Sequence, residues 1–569
     1  MSKNSGGGLM SKKIFNSRIT SANTQNSEKW FGYFFGPCLM YMVYYGVAGT
    51  YLTQFYTDVL GMSGVFITMM PIVCKIVDAI TNIVMGRIID KTRTKQGKAR
   101  PWVLLSGIMI CITGMLLYMV PTANQTVQIL WIIVSYNLFF AFAFTIYNMS
   151  HALMVPLSTR NTKQRDTLAM FTSMGASMIP GVLVTMIMPF IIAAIGVGNE
   201  SQGKWIVMMC VVSIVALPAC LLEYYFTKER VTEDAQAVQS DDDAQQISFV
   251  DQMKACFTNK YWLRIMLVWA LYQIIANLQS YSLVYYCNWV LSSSVSGGAA
   301  LQVIVQAVGK APLGFGVFLL WPLVHKFGKR IVSVIGYLVA AAGGIIIFIA
   351  GGIGAAIGGS LILSIGLLPT YVFMAMLAEA LDDIEYVNGY RADGFSASIY
   401  SIIITVCAGI SQSILLGGIS LTGYVQPDAA GNAVQPVSAQ LFFKMCYGGL
   451  PAILFIIMAV LLIGFNVEKM MPEISATLIQ RQKDAAAARG EVYLSPEEKA
   501  AIEQEENDRI AEQKRIEQLK AKCEKKGLDF DEEEAKYQAQ KAAAEAKAAE
   551  KQAKAEAKAA AKAAKKNRK

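Results

Sequence analysis

The chain has 569 residues, of which 54% are hydrophobic and only 16% charged, with a formal net charge of +9. That balance excludes an ordinary soluble enzyme of this length and reads as an integral membrane protein. Two histidines and ten singly scattered cysteines, from Cys38 to Cys523, offer no spacing that suits a metal cluster or a disulfide framework, and no nucleophile motif is present. The sequence therefore predicts a protein that is not an enzyme, with no cofactor beyond a possible coupling ion, H⁺ or Na⁺, and with no nucleic-acid partner.

Residues 1–28 are polar and basic, lack the apolar stretch of a cleavable signal peptide, and are expected to form a cytoplasmic segment. Beyond them lie apolar runs of the roughly 20 residues that a spanning helix needs. They fall near 30–57, 62–89, 101–121, 126–157, 167–197, 204–226, 260–292, 299–324, 331–351, 353–380, 395–422 and 439–466. A long acidic connection at 227–259, with "DDDAQQ" at its centre, divides the twelve runs six and six. The expected fold is an all-α membrane protein of twelve transmembrane helices in two six-helix bundles, 29–226 and 260–466. A charged Ala/Lys/Glu-rich cytoplasmic tail follows at 467–569. Two joins are open: only glycines in "AGGIGAAIGG" separate the ninth run from the tenth, and Pro156 interrupts the fourth.

The connections alternate in charge. Lys91, Arg93, Lys95, Lys98 and Arg100 fill the second, Arg160, Lys163 and Arg165 the fourth, and Lys326, Lys329 and Arg330 the eighth, whereas "PTANQT" and "SSSVSGG" carry no basic residue. Positive charge retained inside a cell membrane puts both termini in the cytoplasm. Each half has a basic turn between its second and third helices and an Arg-and-Asp turn before its fifth ("QRDTL", "YRADG"), as in transporters built from repeats with a substrate site between the halves. In the tail, Lys547, Lys551, Lys554, Lys558, Lys562 and Lys565 form one helical stripe that could face anionic lipid headgroups; a solvated helix is the competing reading.

The second run contains "KIVDAITN". Asp78 stands 12 residues before Asp90, about 18 Å from the cytoplasmic end of a helix and so near the bilayer centre. A carboxylate there marks an ion or substrate route unless it is paired. Lys75, Asp78, Thr81 and Asn82 share one side of the helix and form the candidate cation or proton site. A purely structural Lys75–Asp78 pair would not explain Thr81 and Asn82.

Asp78, Asn82, Gly86, Asp90, Thr92, Gly97, Lys98, Arg100, Pro101 and Trp102 resemble the signature of the glycoside-pentoside-hexuronide:cation symporters, the melibiose-carrier family of the major facilitator superfamily. "AEALDDIEYVNGYRADG" at 378–394 is similar to that family's turn after the tenth helix, and "FYTDVLGM" to the end of its first. The resemblance covers about residues 28–470. It implies a carrier that moves a sugar or glycoside across the cytoplasmic membrane with sodium, lithium or a proton. Against the family pattern, Asn82 and Ile83 replace an acid and a proline, Met42 and Asn148 stand at acidic positions, and Ala152 and Ala408 replace a tryptophan and a lysine. Proton coupling, or no coupling, therefore stands beside sodium coupling. His151, one turn after Asn148, is a conceivable titrating group, with a packed histidine as the alternative.

Sugars are held by amides and aromatic faces. The candidates for substrate binding are Tyr41, Tyr45, Tyr147, Asn148, Trp269, Gln273 and Asn277, the last three repeating every four residues along the seventh helix; Tyr285 and Tyr286 fit the membrane interface. Asp90, Arg93, Arg165, Glu385 and Arg391 are candidate cytoplasmic gate charges that latch the bundles together when the carrier faces outward. The function expected is secondary active sugar transport by alternating access, with sugar, a monovalent cation and the bilayer as partners. An uncoupled facilitator, a carrier of another small polar solute, and a membrane scaffold displaying the basic tail are the alternatives.

Overall fold

The computed structural model describes residues 17–19, 24–43, 51–62, 65–94, 96–159, 162–230, 248–428, 430–488 and 490, and separate stretches between 509 and 539. The chain forms two compact units. The first comprises Met1–Ile19, Thr24–Thr159 and Lys163–Tyr493; the second comprises Thr20–Asn23, Arg160–Thr162 and Leu494–Lys569. Among its described residues the regular secondary structure of the first unit is all helical, apart from an isolated bridge between Ser294 and Asn432.

Helix α1 comprises Glu28–Phe35 and Gly36–Met42, resuming at Tyr51–Gln54 and Phe55–Val59. Then follow α2 (Val65–Lys91), α3 (Arg100–Tyr118), α4 (Gln125–Ser158), α5 (Thr167–Ile195), α6 (Asn199–Phe226) and α7 (Lys260–Trp289). Helix α8 runs in three pieces, Val295–Gly309, Ala311–Phe315 and Val317–Phe327. The remainder are α9 (Lys329–Ile349), α10 (Ile353–Asn388), α11 (Asp393–Leu421), α12 (Val437–Ile463) and α13 (Val467–Ala488).

Among the described residues, nine of these helices, α3–α7 and α9–α12, are long and apolar enough to cross a membrane. Helix α2 carries Lys75, Asp78 and Arg87, α8 is broken at Lys310 and Gly316, and α1 passes through residues outside the description. The helix ends follow from sequence. Asn124 accepts from the Val127 amide to start α4, and Asn259 accepts from Tyr261 and Trp262 to start α7. The doubtful glycine run does break, at Gly352, whose φ of +87° suits no side-chain-bearing residue. Pro156, by contrast, is accommodated inside α4, which continues to Ser158.

Two apolar cores form. One draws mainly on α1–α6, with Tyr33, Phe139 and Trp205 fully buried; the other draws on α7–α13 and on the short helix Phe249–Thr258 before them, around Trp262, Ala380 and Phe455. Polar side chains join the last turns of α1 to the later helices. Gln302 Nε2 donates to the Tyr51 hydroxyl at 2.9 Å, Gln412 Nε2 to Thr53 Oγ1 at 2.9 Å, and the Tyr424 hydroxyl to Asp58 Oδ1 at 2.9 Å. Tyr285 belongs to the same seal. It and Tyr286 are buried, not interfacial, and the Tyr285 hydroxyl lies 2.8 Å from Thr57 Oγ1.

At the opposite end the two basic turns are built alike. The Glu229 carboxylate accepts from the backbone amides of Lys98, Ala99 and Arg100 at 2.7–2.8 Å, closing the start of α3. Glu468 accepts from the amides of Lys329 and Arg330 at 2.8 and 3.1 Å, closing the start of α9. Each acid neutralises the positive end of a helix dipole. The Arg100 guanidinium reaches the Tyr224 carbonyl at the end of α6, and that of Arg330 reaches the Ile463 carbonyl at the end of α12.

In the second unit, Arg515 pairs with Glu512 and Glu534, and its guanidinium lies 4.0 Å from the centre of the Tyr537 ring. The alanine and lysine stripe at 547–565 lies outside the described residues.

Candidate functional site

Asp78 sits in the middle of α2 with Lys75 one turn before and Asn82 one turn after, and both Asp78 and Lys75 are buried. Lys75 Nζ is 3.2 Å from Asp78 Oδ2. Asn82 Nδ2 lies 3.2 Å from Asp78 Oδ1 and donates to the Asp78 backbone carbonyl at 2.8 Å. A fourth group comes from α4: Thr145 Oγ1 lies 2.7 Å from Asp78 Oδ1. Thr81 does not join them, because its hydroxyl donates to the Val77 carbonyl at 2.9 Å, the local bond that Ser and Thr often make in apolar helices.

Thr145 follows a wide, π-helical stretch of α4, Leu138–Phe144. The extra residue per turn shifts everything beyond it around the helix axis, the usual effect of such stretches at functional sites. Lys75 also lies over the Phe140 ring from this stretch, at 5.1 Å. From the other side comes α11, where a Cβ on Gly409 would lie 3.0 Å from Lys75 Cγ and 3.1 Å from the Pro71 carbonyl. Helices from both sets thus meet at the Lys75–Asp78 pair. The donor set of one carboxylate, one threonine hydroxyl and one amide suits a hard monovalent cation or a proton. Lys75 already occupies the position of the counter-charge to Asp78.

The sugar candidates divide into two groups. Near α1, the Tyr41 hydroxyl donates to Asn148 Oδ1 at 2.6 Å, and Asn148 is exposed on α4 beside Ala152 and Pro156. Tyr147 is turned away from that face. It is fully buried, and its hydroxyl donates to Glu223 Oε2 on α6 at 2.7 Å. Tyr45 lies outside the described residues.

On α7 the Trp269 ring stacks on Tyr272, Phe373 and Tyr400 with centroids 5.5, 4.5 and 4.6 Å away, and its Nε1 is buried without a partner. Gln273 and Asn277 follow on the same face, half-buried, with Asn277 Nδ2 donating to the Gln273 carbonyl at 2.7 Å. An aromatic face bordered by amides is the chemistry that holds a sugar ring.

Of the gate candidates, Glu385 and Arg391 come together. Arg391 Nε is 2.8 Å from Asp393, its Nη1 is 3.8 Å from Glu385, and it also pairs with Asp382. Burial works against the Arg391 charge, but Asp393 and Asp382 outweigh it and raise its pKa above the usual guanidinium value. Arg93 is exposed and donates to the Thr92 carbonyl at 3.2 Å; Arg165 is exposed; the Asp90 side chain lies outside the description.

Sequence reasoning missed two residues. Thr145 carried no signal beyond its position three residues before Asn148. Glu223, fully buried and bonded to both Tyr147 and His151, stands three residues from the end of α6, where a charge reads as interfacial.

A family model for MFS/sugar transport proteins matches residues 32–469. The chain is 26% identical over 449 residues to the isoprimeverose transporter of Lactiplantibacillus pentosus, an alignment covering 78% of this chain and 90% of the relative. It is 24% identical over 460 residues to YagG of Escherichia coli (strain K12), which carries the name of a glycoside/cation symporter, covering 77% and 91%. In fold it is similar to a bacterial homologue of the human lysosomal transporter Spinster, with a TM-score of 0.57 at 13% identity, covering 79% of this chain and 99% of that one.

Proposed function

The chain belongs to the MFS/sugar transport protein family, and from that premise we propose that it carries a sugar or glycoside across the cytoplasmic membrane by alternating access, in symport with a monovalent cation held at Asp78. The twelve-helix reading adds α1, α2 and α8 to the nine helices that meet the length and apolarity of a span. Division into two bundles is supported by the two apolar cores and by the matching Glu229 and Glu468 clamps. Both termini face the cytoplasm by the basic turns at that end.

The observation that carries the proposal is the placement of the Asp78 carboxylate. It is buried in mid-helix, fed by Thr145 of α4, and paired with the lysine against which α11 packs. A cation that releases Lys75 from Asp78 changes the contact between α2 and α11, which belong to opposite bundles. Ion binding and bundle movement are thereby the same event. The conformation is the one closed at the end opposite the basic turns, through Tyr51, Thr53, Thr57 and Asp58. The Arg391 cluster is then the part of the opposite gate that waits for closure. Trp269 with Gln273 and Asn277, and Asn148 with Tyr41, form the two walls that take the sugar.

The test is uptake of labelled glycosides into vesicles under imposed Na⁺ or proton gradients. Wild type is expected to accumulate sugar above equilibration, and Asp78→Asn to lose the response to at least one gradient. Accumulation that never exceeds equilibration overturns symport, entry of no glycoside overturns the substrate class, and an Asp78→Asn protein that keeps both responses removes Asp78 from the ion site.

A further inference from the structure

A second membrane-embedded titratable pair lies outside the Asp78 site. His151 on α4 and Glu223 on α6 are 3% and 0% exposed, and His151 Nδ1 is 2.7 Å from Glu223 Oε1. The other carboxylate oxygen accepts the Tyr147 hydroxyl at 2.7 Å. With both oxygens engaged by donors, Nδ1 carries the hydrogen. The remaining ring nitrogen, Nε2, is buried and has no hydrogen-bond partner. A buried polar atom without a partner is costly, and a merely structural pair would gain by satisfying it.

We propose that His151 Nε2, backed by Glu223, is a proton-binding site that couples sugar movement to a proton gradient. This rests on the sugar-symport reading above and assigns its proton to a different place from Asp78. The step is simple in its balance: the Nε2 lone pair takes one proton, imidazole becomes imidazolium, and the pair passes from a net charge of −1 to zero. Release reverses it. Glu223 makes the charged ring tolerable in an apolar setting, since a buried charge persists only when paired.

The surroundings fit a proton better than a metal cation. The groups that face the pair are Tyr33 and Tyr41 from α1, Tyr147 from α4 and Cys220 from α6, all ordinarily neutral and none a second carboxylate. The next charges are Glu28 and Arg230, paired with each other at 2.8 Å near Tyr33, and the buried Arg100 of α3, which also interacts with Tyr33. The pair also touches the sugar wall. The Tyr147 ring stacks on His151 at 5.7 Å, and the Tyr41 ring meets His151 edge-on at 5.9 Å while its hydroxyl holds Asn148. Charging the imidazole therefore alters the ring that positions an exposed sugar-facing amide. Glu223 lies three residues, about 5 Å of helix, from the end of α6 beside the basic turn at Arg100, on the side from which a proton would leave to the cytoplasm.

The full-length protein in Na⁺-free vesicles supplies the test. Sugar exchange at equal pH on both sides reports transport without net proton movement, and accumulation under a pH gradient reports coupling. For one proton per sugar, each pH unit supports about tenfold accumulation in wild type. His151→Gln and Glu223→Gln are each expected to drop that ratio to one while exchange falls much less. Retention of the pH-driven ratio, or loss of exchange in parallel with it, overturns the proposal, the second outcome marking a structural pair or a direct sugar contact. Absence of exchange in wild type instead overturns the transport reading.

Because the chain has only two histidines, imidazole NMR of wild type, assigned with His325→Gln, gives a second measurement that does not depend on those variants folding. Sugar is expected to move the His151 titration midpoint. A midpoint that ignores the sugar overturns the proposal even if the variants misfold.

Discussion

The two halves of the molecule share a frame and differ in what they place inside it. Glu229 and Glu468 close corresponding helix starts by accepting from backbone amides, three in the first half and two in the second. Helices α1–α6 then set Asp78 and Glu223 in apolar surroundings and answer them with Lys75, Thr145, Tyr147 and His151. Helices α7–α12 present an aromatic stack around Trp269, while their buried acids Glu379 and Asp383 are tied to Lys329 and Asn259. Repetition of the frame fits a carrier built from repeated halves. Within it, the buried Lys75–Asp78 and His151–Glu223 pairs lie in the first half and the Trp269 aromatic stack in the second.

Breaking the charge balance of the first half has the largest expected effect. Lys75→Met strands the Asp78 carboxylate and should cost about 3–5 kcal/mol of stability, read as a lowered unfolding temperature in detergent. Adding Asp78→Asn should restore most of that loss without restoring the cation response. If Lys75→Met is as stable as wild type, the pair is not buried as described. The frame itself is tested next. At Gly97, with φ +119°, a Cβ would lie 2.3–2.5 Å from the Glu229 carboxyl group; at Gly328, with φ +81°, it would lie 2.9–3.2 Å from that of Glu468. Both alanine substitutions carry backbone strain of about 1–3 kcal/mol. Gly97→Ala should cost more, because its carboxylate is pinned by three amides and cannot swing aside. Equal losses in thermal unfolding would mean that the two clamps yield alike.

What the sequence made legible follows the same division. Asp78 stood out because a carboxylate in an oily run is expensive, and its partners Lys75 and Asn82 lie one helical turn away, where periodicity finds them. Thr145 did not stand out, since a threonine satisfies itself on its own backbone and only the wide stretch Leu138–Phe144 sets its direction. Tyr147 reads as a sugar ligand until Glu223 is found beneath it. Spacing also placed Thr81 with Asp78, whereas its hydroxyl is spent on Val77. The seal from Gln302 to Tyr51 and Gln412 to Thr53 joins residues 251 and 359 positions apart, and no local pattern encodes it.

In the second half, Trp269→Leu removes the ring on which Phe373 and Tyr400 stack. Aromatic pairing beyond burial is worth about 0.5–1.5 kcal/mol, so the sugar KM should rise up to about tenfold while the cation dependence of uptake stays as in wild type. A changed cation dependence would tie the Trp269 stack to the cation site and break that separation.

The smallest effect on stability is expected at Arg391. Its side chain is 35% exposed and shared among Asp382, Glu385 and Asp393. Solvent screens such a cluster, so Arg391→Gln should cost less than about 1 kcal/mol. Its consequence should appear in the transport cycle instead. In the conformation closed at the far end, the guanidinium is occupied by acids of its own turn, so a partner from the other half must compete with three carboxylates to engage it. Arg391→Gln removes that competition together with the latch, leaving Asp382 and Glu385 to repel any acid brought near. Closure of the gate that Arg391 borders should then be slower, lowering the rate of net uptake more than the rate of exchange at saturating sugar on both sides. A variant in which both rates fall equally, or stability drops by several kcal/mol, would show that Arg391 holds its own turn together and has no part in the gate.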